Sequence, residues 1–147
     1  MPDETVRDEL TTMMIAGRET SMQALSWAIY HLAKNKEILF KVRAESNVAM
    51  GDNFPTYQTI SKLVYTRQLI YETLRFYPPL WMLARKNNED DNLNGFHLPA
   101  GSRILINVYG LHRHPTYWDN PDIFDPDRFD PSFDEKKTEF TAKEQFI

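Results

Sequence analysis

Apolar and small side chains recur at spacings of three and four residues through 3–33, a stretch that contains no proline. The repeating positions are Leu10, Met13, Met14, Gly17, Ala24, Ala28 and Leu32. This spacing is typical of one face of an α-helix, so the pattern predicts a single long helix. Leu25, Trp27 and Ile29 make its second half apolar nearly all round, which is typical of a buried helix. We therefore expect a helix over 3–33 that needs packing partners.

The pattern predicts three further helices, over residues 36–49, 56–63 and 64–76. Asn35 interrupts the first helix and has the side chain of a good N-cap for the second. Thr56 is a similar cap for the third. The fourth should end before Pro78, because the residue that precedes a proline is disfavoured in the α region.

After Pro79 the pattern changes to short strands and turns. Strands are predicted over 81–85, 96–98 and 103–107, and Asn94-Gly95 is a strong two-residue hairpin signal. Residues 108–133 hold several prolines and aromatic side chains, which predicts an irregular but ordered segment. Residues 134–147 are polar and predict a loose tail. The fold class is therefore mainly α with a small β-hairpin portion, within one incomplete domain over 1–147.

The amino-acid composition argues against several classes of function for this chain. The net charge is −4, from 17 basic and 21 acidic side chains, and gives no reason to expect nucleic acid as a partner. The absence of cysteine excludes disulfides and cysteine-based metal sites within these residues. No apolar run approaches the ~20 residues of a membrane span, and the start lacks the pattern of a secretory signal. The compartment stays open, and would be the cytoplasm if the source is bacterial.

The run Ala16-Gly17-Arg18-Glu19-Thr20-Ser21 lies in the middle of the long helix. Ala16 and Gly17 leave a bare patch of backbone on which a flat ligand can lie. The Thr20 hydroxyl is four residues after Ala16 and can bond back to its carbonyl, and Glu19 can donate or accept a proton. Such a run can hold a small polar ligand and pass protons to it. The alternative is a helix–helix crossing at small residues.

Glu72 and Arg75 lie three residues apart in the fourth helix, so their charges can pair on one face. Arg128, between Pro126 and Phe129, could be buried where it can bind a carboxylate. Arginine binds a carboxylate in a planar, bidentate contact. The alternative is a solvated surface pair, which contributes only a few tenths of a kcal/mol.

His112 and His114 raise the possibility of a metal site, since two histidines at this spacing face the same way in a strand. No third ligand is evident nearby, so we expect loop histidines that make ordinary hydrogen bonds, and no metal ligand in the chain.

These segments, in this order and at these distances, resemble the cytochrome P450 family. The run from Ala16 to Ser21 resembles the oxygen-binding groove of that family's long central helix. Glu72-Thr73-Leu74-Arg75 resembles its Glu-x-x-Arg motif. Pro126-Asp127-Arg128-Phe129 resembles its Pro-Glu-Arg-Phe motif, with Asp127 in place of the glutamate. The match covers nearly the whole chain, and the ordered set is far more specific than any single motif.

The resemblance implies roles for individual residues. Ala16 and Gly17 would lie over the distal face of a haem, and Arg85 would bind a haem propionate. Glu19 and Thr20 would deliver protons during dioxygen activation. Residues expected to line the substrate pocket are Leu80, Trp81, Met82, Leu83 and Ala84, which suggests an apolar substrate. Residues expected to form a buried, non-catalytic salt-bridge triad are Glu72, Arg75 and Arg128.

The resemblance also implies a partner set: dioxygen, a small organic substrate, and an electron-transfer protein such as a reductase or ferredoxin. The family's thiolate ligand to the haem iron lies in a downstream glycine-rich loop, and this sequence has no cysteine. We therefore expect part of a haem-thiolate monooxygenase that is inactive alone. The alternative is a non-enzymatic helical interaction module or a decayed gene product.

Overall fold

The computed structural model describes residues 2–132, so the predicted loose tail over 134–147 lies outside the described residues. The mainly α fold class is confirmed. The elements are helices α1 (Asp3–Lys34), α2 (Lys36–Met50), α3 (Tyr57–Ile60), α4 (Val64–Phe76) and α5 (Val108–Leu111), strands β1 (Leu83–Lys86), β2 (Asp91–Leu93), β3 (Phe96–Leu98) and β4 (Arg103–Ile106), and the 3-10 helix η1 (Pro126–Phe129).

Local capping sets the helix boundaries near the predicted positions. The Asn35 side-chain oxygen accepts from the backbone N–H groups of Glu37 and Ile38 at 3.1 and 3.2 Å, so one residue separates α1 from α2. Thr56 and Thr59 form a reciprocal capping box at the start of α3. This helix ends at Ile60, whereas the pattern predicted it through residue 63.

The N-terminus of α4 is capped from another helix. Leu63, at the N-cap position, offers no side-chain hydrogen bond. Instead the Glu45 carboxylate on α2 accepts from the backbone N–H of Tyr65 at 2.6 Å and of Thr66 at 2.9 Å. It also accepts from the Thr66 hydroxyl at 2.7 Å. A carboxylate placed here satisfies exposed helix donors and complements the positive end of the helix dipole.

The strands form two antiparallel pairs, β1 with β4 and β2 with β3. Asn94 and Gly95 have φ values of 49° and 87°, as a two-residue hairpin turn requires, and the turn sets the β2–β3 register. β1 begins at Leu83 rather than at 81, where the Trp81 carbonyl accepts instead from Tyr109 N at 3.1 Å. β4 ends at Ile106 because the Asn107 side chain caps α5.

The core of the described residues is small and centres on α4, which packs against α1, α2 and η1. Its buried apolar side chains are Ala28, Ile38, Leu69, Val108, Trp118 and Phe129. The second half of α1, which the sequence predicted to need packing partners, is largely exposed in the described residues, with Leu25 and Ile29 56% and 65% exposed. Ala28 is its one buried residue, while Met13 and Met14 are 70% and 74% exposed, because only the C-terminal part of α1 meets α2 and α4.

No helix within residues 2–132 combines the length and the apolar character required to cross a membrane.

Candidate functional site

Glu72 and Arg75 form a fully buried ion pair on α4. Arg75 Nε donates to Glu72 Oε2 at 2.7 Å, and Arg75 Nη2 donates to Glu72 Oε1 at 2.8 Å. Both side chains have 0% exposure. The solvated-pair alternative is therefore excluded. A buried pair of this kind is stable only when further hydrogen bonds offset the loss of water.

The remaining donors of Arg75 reach the segment that follows the strands. Arg75 Nη1 donates to the carbonyl oxygens of His112 and Pro121 at 2.8 and 2.9 Å. Arg75 Nη2 also donates to the carbonyl of Ile123 at 3.3 Å. One guanidinium thus organises three points of an irregular segment, where no regular backbone pairing exists to do so.

Arg128 joins the same carboxylate from η1. Its Nε donates to Glu72 Oε1 at 3.2 Å, and its two terminal nitrogens donate to the carbonyls of Asp119, Asn120 and Ile123. The backbone N–H of Asp125 also donates to Glu72 Oε1, at 2.8 Å. Glu72 therefore accepts from two guanidinium groups and one amide. We call Glu72, Arg75 and Arg128 the carboxylate–arginine triad; its burial suits a structural role rather than chemistry on a ligand.

A second link to η1 was not predicted from the sequence. Lys41 Nζ on α2 donates to Asp127 Oδ2 at 2.8 Å, and this hydrogen bond raises the pKa of Lys41. The side chains of Lys41 and Asp127 are 39% and 50% exposed, so the pair contributes little to stability. The sequence feature that pointed to this contact is Asp127, which stands in place of the glutamate of the Pro-Glu-Arg-Phe motif.

The Ala16–Ser21 run lies on an open surface of α1. The Thr20 hydroxyl donates to the Ala16 carbonyl at 2.9 Å, and the Ser21 hydroxyl donates to the Gly17 carbonyl at 3.1 Å. The helix stays α-helical through this run. A Cβ built on Gly17 would have no heavy atom within 4 Å apart from the adjacent backbone of its own helix, and Glu19 is exposed. The patch is bare enough for a flat ligand to contact the backbone.

The predicted pocket segment is also largely exposed. Leu80, Trp81, Met82 and Ala84 are exposed and Leu83 is half-buried. Arg85 is exposed on β1, and its Nη1 donates to the Ala84 carbonyl at 2.9 Å. No hydrogen bond or ion pair within residues 2–132 joins this segment to the Ala16–Ser21 run.

Two parallel ring stacks hold the C-terminal part of α1 in place. The rings of Trp27 and Tyr77 stack at 3.8 Å between centroids and 5° between planes. The rings of His31 and Phe124 stack at 3.6 Å and 8°. Trp27 and His31 are four residues apart and so share a helix face. This spacing is the feature of the sequence from which an aromatic contact face could have been predicted. Burial lowers the pKa of His31.

The two histidines of the His-x-His run do not converge. His112 is buried, while His114 is exposed and its Nδ1 accepts from Thr116 N at 3.3 Å. Across residues 2–132 no group of three or more His, Asp or Glu side chains is placed to hold a metal ion.

Comparison with known proteins gives a consistent match. The family model described as cytochrome P450 matches residues 1–145. Cytochrome P450 97B1, chloroplastic, of Pisum sativum is 42% identical over 135 residues, which cover 86% of this chain and 24% of the relative. Cyclooctatin synthase of Streptomyces melanosporofaciens is 38% identical over 131 residues, 89% of this chain and 28% of the relative. The chain thus spans about a quarter of the length of these relatives.

Proposed function

Because this chain belongs to the cytochrome P450 family, we propose that it is part of a haem-dependent monooxygenase. The enzyme would insert one oxygen atom of dioxygen into a small organic substrate, with electrons from a reductase or ferredoxin. The observation that carries the proposal is the carboxylate–arginine triad. Its three members come from the family's two motifs and meet out of water, with Arg75 Nε 2.7 Å and Arg128 Nε 3.2 Å from the Glu72 oxygens.

The Ala16–Ser21 run fits the distal face of a haem. Its backbone is bare at Gly17, where even an added Cβ would find no neighbour within 4 Å. Haem with a thiolate ligand supplies the redox chemistry that cleaves the O–O bond. This sequence contains no cysteine, so the thiolate would come from residues outside it.

Glu19 and Thr20 would take part in proton transfer beside the distal face of the haem. The Thr20 hydroxyl donates to Ala16 O at 2.9 Å, which fixes the position of Oγ1 and leaves it able to accept from a water. The exposed Glu19 carboxylate can exchange protons with solvent. Adjacent helical residues do not face each other, so a water would carry the proton between these two groups.

Arg85 and residues 80–84 would complete the site. The Arg85 guanidinium is exposed and donates only to Ala84 O among the described residues, so its other donors can bind a carboxylate such as a haem propionate. Leu80, Trp81 and Met82 present apolar side chains, which favours an apolar substrate.

The test is the reduced carbon monoxide difference spectrum of the monooxygenase that contains this chain. A thiolate-type Soret band is expected from it, and none from the 147-residue chain alone, which lacks cysteine. Absence of the band from the longer protein would refute the proposal.

The role of Thr20 is tested by Thr20→Val in the longer protein. Loss of the hydroxyl that positions the relay water is expected to lower the product formed per electron pair consumed by about tenfold or more. Thr12→Val is the matched control, because the Thr12 hydroxyl makes the same bond to Asp8 O, at 2.8 Å, on the same helix. Thr20→Ser, which keeps the hydroxyl, should restore most of the yield. Equal yields from the Thr20→Val and Thr12→Val variants would refute this role.

A further inference from the structure

The Trp27–Tyr77 stack joins two segments that the proposed function uses separately. Trp27 lies on α1 seven residues after Thr20, which is about 10 Å along the helix. Tyr77 is the C-cap of α4 and immediately precedes Pro78, Pro79 and the pocket segment. The stack is therefore a direct contact between α1, which carries the Ala16–Ser21 run, and the residue that lies just before the pocket segment, residues 80–84.

We propose that Trp27 and Tyr77 are positioning residues that set where the pocket segment lies relative to the Ala16–Ser21 run, and so which substrates fit. This inference rests on the proposed function. The geometry that carries it is a near-parallel stack, with centroids 3.8 Å apart and planes 5° from parallel.

The covalent path from Tyr77 to the pocket is short and stiff. Pro78 and Pro79 fix their own φ angles, so fewer backbone torsions lie between Tyr77 and Leu80 to absorb a displacement of Tyr77. At the other side, the Trp81 carbonyl accepts from Tyr109 N at 3.1 Å, and Leu83 pairs with Ile106. The pocket segment is thus fixed from β4 and α5 on one side and from α1 on the other.

Loss of the stack should not detach α1, because other contacts hold the same face. Ala28 is buried beside Trp27, and His31 stacks on Phe124 and meets Phe76 edge-on at 5.8 Å. Trp27 itself is 37% exposed. Removal of its ring would therefore change the position of the pocket segment more than it would change whether the helices dock.

The experiment uses the haem-loaded monooxygenase that contains this chain and two probes, imidazole and 4-phenylimidazole. Both are titrated into the ferric protein and followed by the shift of the Soret band. Imidazole is too small to reach beyond the haem, whereas the phenyl ring of the larger probe extends into the pocket. In Trp27→Leu and Tyr77→Leu the dissociation constant of 4-phenylimidazole should change by about threefold to tenfold, the size expected from an aromatic pair. The dissociation constant of imidazole should stay as in the wild type.

Three further variants keep the outcome decisive. Tyr77→Phe retains both rings and should keep the wild-type ratio of the two constants. The double variant Trp27→Leu/Tyr77→Leu should change the constant by less than the product of the two single changes, because the two substitutions share one contact. Phe54→Leu, at a side chain that is 92% exposed, is the control for loss of an aromatic ring elsewhere. If Trp27→Leu loads too little haem, Trp27→Met, which also removes the aromatic ring, replaces it, and an unchanged ratio there overturns the inference.

The two proposals fail in different ways. Equal changes for both probes, or none, overturn the positioning role while the wild-type spectrum still supports the monooxygenase. A wild-type protein that binds neither haem nor imidazole overturns both.

Discussion

Glu72 Oε1 lies 3.2 Å from Nε of Arg128, a residue 56 positions further along the chain. The same oxygen accepts from Arg75 Nη2 and from the backbone of Asp125. Since Arg75 in turn binds the carbonyls of His112, Pro121 and Ile123, one carboxylate on α4 fixes the course of the segment that leads to η1.

Glu72→Gln should strongly destabilise the protein, because it leaves Arg75 buried without a counter-charge. Breaking a buried pair in this way costs about 3–5 kcal/mol. The measurement is the free energy of unfolding from urea titration followed by circular dichroism. Arg7→Gln is the control, since Arg7 pairs with Asp8 on the surface, with side chains 69% and 66% exposed. Its loss should cost at most about 1 kcal/mol. Similar losses from the two variants would contradict the buried network.

Glu45→Ala should weaken the start of α4. The carboxylate caps the N–H groups of Tyr65 and Thr66, and no other side chain among residues 2–132 caps this terminus. Loss of a helix N-cap costs about 0.5–2 kcal/mol. Urea titration checks the value, with Glu9→Ala on the exposed part of α1 as the control. An equal effect at both positions would show that Glu45 acts through charge alone.

His31 should make the protein less stable in mild acid. Burial lowers the pKa of His31 below its ordinary value of 6.5. The unfolded chain therefore binds a proton below about pH 6.5 before the folded chain does, so the stability due to neutral His31 is present above that pH. It is lost as the pH falls towards the lower folded pKa.

The test compares urea midpoints at pH 7.5 and pH 5.5. His31→Phe keeps a ring against Phe124 but cannot titrate, so it should lose less stability between these pH values than the wild type does. His97→Asn, at an exposed position on β3, is the control and should behave as the wild type. Equal losses in the wild type and His31→Phe would remove His31 as the cause.

Gly17→Ala should separate stability from function. A Cβ at Gly17 meets no heavy atom within 4 Å apart from the adjacent backbone of its own helix, and alanine favours a helix interior by up to about 1 kcal/mol over glycine. The variant should therefore be as stable as the wild type or more so in urea titration. In the haem-loaded monooxygenase the added methyl would occupy the proposed distal surface, so the affinity for carbon monoxide should fall. Unchanged affinity would argue against placing Gly17 over the haem.

Much of the secondary structure follows from the sequence because its determinants act over a few residues. The Asn35 cap separates α1 from α2, and Pro78 follows soon after the end of α4. The Asn94-Gly95 pair forms its turn as expected, with both φ angles positive. The meeting of Glu72, Arg75 and Arg128 was also expected, but only by resemblance to a family, since nothing local relates Arg128 to α4.

Other features depend on neighbours that no local pattern specifies. The apolar character of α1 indicated burial, yet Met13 and Met14 lie in solvent in the described structure because no element packs against them. The hydrophobic pattern did not predict β2, because its residues are mostly polar. The strand forms because the Asn94-Gly95 turn places it beside β3. Glu45, Lys41 and Trp27 found partners on other elements, which sequence spacing does not encode.

The sequence by itself determined where helices start, where turns form and which residue types are available, because hydrophobic period, capping and turn chemistry are short-range. Only the tertiary structure decided which side chains are removed from water and which distant groups they bind. Burial and pairing depend on the packing of whole elements, and the same glutamate and arginine three residues apart would contribute little on an exposed helix.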